Sequence, residues 1–482
     1  MSGKGEWLAQ PRTRWVVLSL IMVFFASTNV PWTLDDYDQA KQAYTSFEMV
    51  GQGHWLYQHT PNESVATKPP LVGWISAALF ALTRWWEGAW RIPSFVAALA
   101  LLWLIAREAT AAYGAAGGLI ALSAFGLNLL APRLATLVRT DMPLALATFL
   151  IGGQIWQKIH RAEPWATRDR VIAFLLLTSA MLIKGPIIYA FILPGLIVYQ
   201  IRRRKSGAPS GWSGWWPWLL SLAIFLAWAI GGIVRQTGFY DSVVIREFAG
   251  RFTETIHKPQ PIYFYLPHLL HKFAPWSVLL IAFAIAFWRR RDERWKMQPA
   301  TLWLVCWSVG GLILMSVIPS KRVDRIFPLV PPLCLLLGAQ VAAALRIEPW
   351  RGRLWRWLAT ALIFAGIFTG GYVAWKIGQG YHSRSAALVQ FSQQVREKAE
   401  QHHWRYAVVG GREEGMLLYL RRDHFLAPDD AVRQWNAGLL DALVVRDEPA
   451  RPWLRLLSGA QLAFASEKSA DVPQYSLFVR GM

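Results

Sequence analysis

Twelve apolar runs of roughly membrane-spanning length dominate this chain of 482 residues. The hydrocarbon core of a bilayer is about 30 Å thick, and a helix needs roughly 17–25 mainly apolar residues to cross it. The composition agrees, because 54% of the residues are hydrophobic and only 17% are charged. The sequence therefore predicts an all-α polytopic membrane protein. The runs lie at residues 15–31, 71–83, 92–106, 113–131, 142–156, 171–183, 186–201, 216–234, 275–288, 300–318, 326–345 and 357–375.

The net charge of +20 comes largely from basic residues that cluster between the apolar runs. In a soluble protein such an excess would indicate nucleic-acid binding. In a membrane protein it is typical of cytoplasmic loops, which are enriched in Lys and Arg. We therefore predict no nucleic-acid partner and a lipid bilayer as the surroundings. The predicted cytoplasmic clusters are Arg12 with Arg14, 158–170, 202–205, 289–296 and 346–356.

These cytoplasmic assignments are consistent only if one apolar run does not cross the membrane. The run at 71–83 is short and begins and ends on the outer side, so we expect an interfacial or re-entrant helix there. About eleven spans remain, together with juxtamembrane helices. We predict a membrane domain at residues 1–376, which includes a first outer loop at 32–91.

The C-terminal residues 377–482 have a different pattern. A polar helical stretch at 385–402 is followed by three short β-like runs at 406–409, 442–445 and 475–479. Alternating helix and strand predicts a small α/β domain, on the outer, periplasmic side of the membrane. Cys306 and Cys334 lie inside apolar runs, so we expect no structural disulfide.

The first outer loop carries two kinds of charge that suggest a site for a sugar phosphate at the membrane surface. Asp35 and Asp36 follow the first span and are candidates to bind a divalent cation or to act as a general base. Capping of a juxtamembrane helix is the competing interpretation. Lys68 precedes two prolines, which hold the chain extended. A lysine held in this way can pair with phosphate, although it can also extend to lipid headgroups.

Three further outer-face positions are candidates. Asp141 lies at the mouth of a span, where helix capping is the alternative, and Lys184 separates two apolar runs as a turn residue or a phosphate ligand. The hinge at 319–325 carries three basic residues on the outer side. Because this breaks the charge rule, it predicts an anion site, with a chance exception as the alternative. The three basic hinge residues are Lys321, Arg322 and Arg325.

Several of these motifs, taken in order, resemble the GT-C membrane glycosyltransferases, and specifically the group of ArnT-like and protein O-mannosyltransferase-like enzymes (glycosyltransferase family 39/83 type). The resemblance covers roughly residues 12–345. Its elements are Leu34-Asp35-Asp36, Lys68-Pro69-Pro70-Leu71 with Trp74, Arg91-Ile92-Pro93-Ser94, Asp141, the outer loop around Arg251–His257, and Phe327-Pro328-Leu329-Val330-Pro331-Pro332-Leu333.

The resemblance implies a fold, an activity and a set of roles. It implies a GT-C fold in a bacterial inner membrane and transfer of a hexose or pentose from polyprenyl (undecaprenyl) phosphate to lipid A or another envelope acceptor. The active site would face the periplasm. Asp35 and Asp141 would be catalytic, and Lys68 would bind the donor phosphate with help from the hinge. His257 would help Asp35 and Asp36 to hold a divalent cation. Thr67 stands where the aminoarabinose transferases usually carry an acid.

Other functions remain open at this point. Within the enzymes, the acceptor could be a protein hydroxyl instead of a glycolipid. A lipid-linked-sugar flippase or transporter would predict charges inside the spans or inverted repeats. A non-catalytic partner of a glycan-assembly complex would tolerate changes at Asp35.

Overall fold

The computed structural model describes residues 6–34, 37–61, 64–251, 259–289, 297–410, 414–446, 453–467 and 474–481. Helices account for most of them, as the apolar runs predicted. The α-helices are α1 Pro11–Ser27, α2 Tyr37–Gln52, α3 Leu71–Thr83, α4 Ile92–Gly126, α5 Ala131–Ala135, α6 Asp141–Arg161, α7 Thr167–Lys184, α8 Ile187–Ser206, α9 Trp216–Arg235, α10 Tyr265–Lys272, α11 Trp276–Arg289, α12 Pro299–Val317, α13 Val330–Leu345, α14 Glu348–Tyr381, α15 Arg384–Gln401, α16 Glu414–Tyr419, α17 Pro428–Asn436 and α18 Trp453–Leu456.

Shorter elements connect these helices. A π-helix spans Tyr240–Phe248, and 3₁₀ helices span Glu6–Ala9, Ala249–Arg251 and Val323–Leu329. In the described part of the chain, six strands form two sheets. They are β1 His59–Thr60, β2 Ser64–Val65, β3 Tyr406–Val409, β4 Ala442–Arg446, β5 Ala460–Ala465 and β6 Tyr475–Arg480.

The chain divides into two compact units. The first comprises residues 1–28, 67–72 and 92–374, and the second comprises residues 29–66, 73–91 and 375–482. Residues of the first outer loop thus belong to two units. Most of that loop is in the second unit, whereas the segment that contains Lys68 is in the first.

Small residues let two helix pairs of the first unit pack closely. A Cβ atom added at Gly195 of α8 would lie 2.5 Å from the carbonyl oxygen of Cys306 in α12. One added at Gly338 of α13 would lie 2.9 Å from the carbonyl oxygen of Gly117 in α4. Close backbone contact at small residues is typical of helix packing in membranes, where dispersion and not the hydrophobic effect holds helices together.

Among the residues that the structure describes, five helices are long and apolar enough to cross a membrane, or six spans if the bent pair α10 and α11 counts as one. This supports a multi-pass membrane protein, but the predicted number of eleven spans is not confirmed. Several of the remaining predicted spans form helices with charged ends. For example, α8 runs on through the basic cluster at 202–205. The α3 helix has 13 residues, about 20 Å, and is too short to cross.

The 35-residue helix α4 joins two runs that the sequence separated. Gly114 interrupts its helical geometry, with φ +75° and ψ 178°. This conformation is essentially restricted to glycine. The two apolar runs therefore form one continuous element with a kink at Gly114, where the missing Cβ atom permits it.

The second unit contains a four-stranded sheet with the order β3-β4-β6-β5. Strands β3 and β4 are parallel, whereas β6 is antiparallel to both of its neighbours. The predicted β-like runs correspond to β3, β4 and β6, and the predicted helix to α15; β5 was not predicted. A buried core supports the sheet and includes Val409, Ala431, Trp435, Leu440, Leu443, Val445, Trp453, Leu457 and Phe478.

Candidate active site

Charged side chains meet at the ends of several helices of the first unit. Asp141, the first residue of α6, forms an ion pair with Lys184, the last residue of α7. Asp141 is only 6% exposed. A carboxylate at a helix N-terminus and an ammonium group at a helix C-terminus each interact favourably with the helix dipole. Two residues that the sequence placed apart are therefore direct partners.

The position of Lys184 depends on the break that follows it. Gly185 ends α7 with φ +77° and ψ −162°, a conformation that favours glycine. A Cβ atom there would also lie 3.0 Å from the ring of Phe248. The break turns the chain into α8 and leaves Lys184 as the terminal residue of its helix.

A second ion pair lies in the same unit. Arg139 Nη1 donates a hydrogen bond to Asp324 Oδ2 at 2.9 Å, and Arg133 Nη1 lies 3.7 Å from Oδ1 of the same carboxylate. Asp324 is 7% exposed and Arg139 is 6% exposed. Asp324 belongs to the 3₁₀ helix that precedes α13. Burial of a charge is costly unless it is paired, so this network needs all of its members.

Two lysines extend the network electrostatically. Lys68, Arg139 and Lys184 all act on the Asp141 carboxylate, and Lys272 at the end of α10 interacts with Arg133 and Asp324. The cluster thus combines the cations Lys68, Arg133, Arg139, Lys184 and Lys272 with two carboxylates, Asp141 and Asp324. Within the described part of the chain, these groups have a formal excess of three positive charges. An anion is the natural ligand of such a cluster.

The three basic residues of the hinge lie between α12 and α13. Lys321 is 6% exposed and its Nζ donates to the carbonyl oxygen of Gln260 at 2.9 Å. Burial lowers the pKa of Lys321. Arg325 donates to the carbonyl oxygen and the hydroxyl of Ser320, at 2.7 and 3.1 Å. Arg322 is half-buried at the start of the 3₁₀ helix. Phosphate binding by these three residues stays a prediction.

Three predicted residues lie outside the described part of the chain, namely Asp35, Asp36 and His257. Their predicted roles in catalysis and in cation binding therefore stay predictions from the sequence.

Sequence reasoning did not single out Arg133, Arg139, Lys272 or Asp324 as members of the site. Asp324 offered a signal, because it is the only acid in a short hinge between two apolar runs. Arg133 follows the end of a predicted run and gave no such signal. Its partner is almost two hundred residues away, and only the fold brings the two together.

The fold is similar to that of two solved glycosyltransferase structures. The chain matches the crystal structure of ArnT from Cupriavidus metallidurans bound to undecaprenyl phosphate with a TM-score of 0.73 and 18% identity. The match covers 99% of this chain and 98% of that protein. The archaeal oligosaccharyltransferase AglB from Archaeoglobus fulgidus matches with a TM-score of 0.50 over 90% of this chain and 69% of that one, at 12% identity. These likenesses establish the fold.

The sequence relatives agree with the fold neighbours, although no protein-family model matches the chain. The undecaprenyl phosphate-alpha-4-amino-4-deoxy-L-arabinose arabinosyl transferase of Erwinia tasmaniensis is 28% identical over 316 residues, 62% of this chain and 54% of the relative. The corresponding transferase 1 of Sodalis glossinidius is 30% identical over 364 residues, 70% of this chain and 59% of the relative. The matches thus span less than two thirds of these relatives' length. The resemblance to ArnT-like transferases is confirmed.

Proposed function

We propose that the chain is a membrane glycosyltransferase that moves a sugar from a polyprenyl-phosphate carrier to an acceptor of the cell envelope. The donor carrier is undecaprenyl phosphate, and the sugar is a pentose such as 4-amino-4-deoxy-L-arabinose, as the names of the relatives suggest. The proposed acceptor is lipid A or a similar glycolipid. The proposed location is a bacterial inner membrane, with the active site facing the periplasm.

The observation that supports this proposal most directly is the excess of positive charge in the cluster of five cations around Asp141 and Asp324. A polyprenyl phosphate presents its anionic group at the membrane surface while its chain stays in the lipid. A cluster with two paired acids and an excess of cations, formed where helices end, suits such a group. Lys68 is half-buried and acts on the Asp141 carboxylate, so its charge contributes to the positive excess that a ligand phosphate would meet.

The chemistry requires these cations at one step. The bond between the anomeric carbon and the phosphate oxygen breaks, and the leaving polyprenyl phosphate takes the bonding electrons. Fixed cations near the developing negative charge stabilise the transition state without having to reorganise. Attack by the acceptor hydroxyl from the opposite face would give inversion in one displacement. The predicted role of Asp35 is to accept the hydroxyl proton.

We assign Asp141 a positioning role, although the sequence resemblance made it catalytic. The carboxylate contacts Lys184, and its burial leaves it little access to a substrate. By holding Lys184 at the end of α7, it would fix one cation of the anion site. A metal ion at Asp35, Asp36 and His257 remains a prediction, and no step of this proposal depends on it.

The test is a transfer assay on the purified protein in lipid, with radiolabelled polyprenyl-phosphate sugars and separate lipid and protein acceptors. Wild type should transfer label to a lipid acceptor. Lys68→Ala should lower the rate by about 100-fold or more, the typical effect of removing one group that stabilises transition-state charge. Asp35→Asn should be similarly impaired. Lys398→Ala, at an exposed lysine of α15, is the matched control and should be fully active.

Other results would identify a different function. Transfer to protein hydroxyls alone would replace the glycolipid acceptor. Labelled donor that crosses the bilayer without transfer would indicate a flippase. Full activity of Lys68→Ala would remove that lysine from the phosphate site.

A further inference from the structure

The second unit contains a separate group of metal-ligand side chains that the transferase proposal does not use. Glu48 lies near the end of α2, His54 lies just after the helix, and His59 is in β1. Their ligand atoms all lie within 4.8 Å of one another. Two imidazoles and one carboxylate are a ligand set that binds zinc, with a fourth position left for water.

The local fold brings these three residues together within twelve positions of sequence. Gly53 ends α2 with φ +82° and turns the chain, so that His54 faces back toward Glu48. The segment then enters the β1–β2 hairpin, in which His59 pairs with Val65 and the Gln58 carbonyl accepts from Ala66 at 2.7 Å. The two histidines therefore lie at the two ends of a short loop that closes over the helix.

Glu48 is the member that most needs a further partner. It is 3% exposed, and its Oε1 is hydrogen-bonded to His54 Nδ1. Its Oε2 is buried and makes no well-formed hydrogen bond with any described residue. Burial raises the pKa of Glu48, whereas His54 and His59, including the nearby backbone N–H of His59, act in the opposite direction. A buried carboxylate oxygen left in this state is costly.

The imidazole rings of His54 and His59 lie next to each other and supply the other two ligands of the proposed site. Their ring centroids are 4.2 Å apart. His59 is 7% exposed, whereas the side chain of His54 is 41% exposed. Zinc bonds of roughly 2.0–2.2 Å in a tetrahedron place ligand atoms about 3.4 Å apart. Because the ligand atoms lie within 4.8 Å of one another, side-chain rotation would have to shorten the longest separation by up to about 1.4 Å. The ion would replace the direct hydrogen bond between Glu48 and His54, and the His54 side is open to an entering ion.

We propose that Glu48, His54 and His59 form a binding site for Zn²⁺ or a similar divalent transition ion, which fastens the loop at residues 53–60 to helix α2. The ligands differ from the Asp35, Asp36 and His257 set predicted from the sequence. The proposal does not depend on the transferase function. The alternative is a polar cluster held by hydrogen bonds alone.

The test uses the full-length protein without a polyhistidine tag, purified in detergent and stripped of metal with a chelator. Zinc titration against a chromophoric competitor should give one saturable site per chain. Glu48→Gln and His59→Ala should weaken binding at that site by at least about 100-fold, more than loss of an outer-shell partner usually does. His402→Ala, at an exposed histidine elsewhere in the second unit, should bind zinc like wild type.

A second measurement uses only wild type, in case the variants do not fold. Chemical modification of histidines, read by mass spectrometry, should label half-exposed His54 in the stripped protein and not after zinc is added, while His402 is labelled equally in both states. Cobalt in place of zinc should give the visible absorption of a tetrahedral site. Unchanged zinc affinity in folded Glu48→Gln and His59→Ala, or unchanged labelling of His54, would overturn the proposal and place any bound metal elsewhere.

Discussion

Asp324 shows how a single residue connects distant parts of the first unit. It accepts a hydrogen bond from Arg139 and lies near Arg133, so two arginines share one buried carboxylate. Such a pair gains little over apolar packing of the same volume, but removal of one partner is costly because the other charge stays buried. The network therefore suits a site that must hold cations in place for a ligand.

Substitution of this pair should show strong coupling. We expect Arg139→Met and Asp324→Asn each to lower stability by about 3–5 kcal/mol, the usual cost of breaking a buried ion pair. The double variant should lose less than the sum of the two. Thermal unfolding in a mild detergent measures this cycle. Additive losses would show that the two side chains do not stabilise each other.

Lys321 should make stability depend on pH at the alkaline end. Its pKa is lowered by burial, so the folded chain releases this proton at a lower pH than the unfolded chain does. Between the two pKa values the unfolded state binds more protons, and stability contributed by this group rises with pH. Lys321→Met should lack that rise. The difference between the two unfolding curves, from neutral pH to about pH 10.5, isolates the effect. Parallel curves would contradict it.

At the scale of elements, helix ends determine the site. Asp141 begins α6, Lys184 ends α7 and Lys272 ends α10, so each charge lies where a helix dipole favours its sign. This arrangement depends on breaks and kinks in the helices, and these need residues that adopt a non-helical backbone conformation. Gly185 ends one helix, and Gly114 kinks another.

The kink at Gly114 gives a test with a matched control. Gly114→Ala should destabilise the protein by about 1–3 kcal/mol, because the backbone conformation is strained for any residue with a Cβ atom. No neighbouring atom lies within 4 Å of the added Cβ, so a clash does not contribute. Gly153→Ala in α6 also meets no atom within 4 Å and should be neutral or stabilising by up to about 1 kcal/mol. Equal melting temperatures for both variants would mean that α4 is straight in the membrane.

At the scale of the whole molecule, the orientation of the chain decides whether the proposed site meets a periplasmic acceptor. The basic clusters predict that the connection between α6 and α7 is cytoplasmic and that the segment before α10 is outside. The two native cysteines are buried and should not react with a polar reagent.

Introduced cysteines test this orientation directly. In intact cells, a membrane-impermeant thiol reagent should label Tyr263→Cys, whose position is 62% exposed, and should not label Ala166→Cys until the membrane is permeabilised. The native protein serves as the control for background labelling. The reverse pattern would place the proposed site in the cytoplasm and would require a different acceptor.

How much of the structure could be predicted from the sequence depends on how far apart in the chain the interacting residues lie. The short helix at 71–83 and the strands at 406–409 and 442–446 were predicted to within a residue or so, because local periodicity and apolar length determine them. The number of spans was harder, since α4 continues across a polar interruption and α8 extends through a basic cluster. Strand β5 was missed because most of its residues are exposed and small or polar.

The sequence by itself determined that this is a membrane protein with a GT-C resemblance and that Lys68, Asp141 and Lys184 are candidate site residues. Hydrophobic length and charge distribution are local properties, and they can be recognised along the chain. Only the tertiary structure decided that Lys184 pairs with Asp141 and that Arg139 pairs with Asp324. Which buried charges become partners depends on which helix ends meet, and that in turn depends on the packing of the whole bundle.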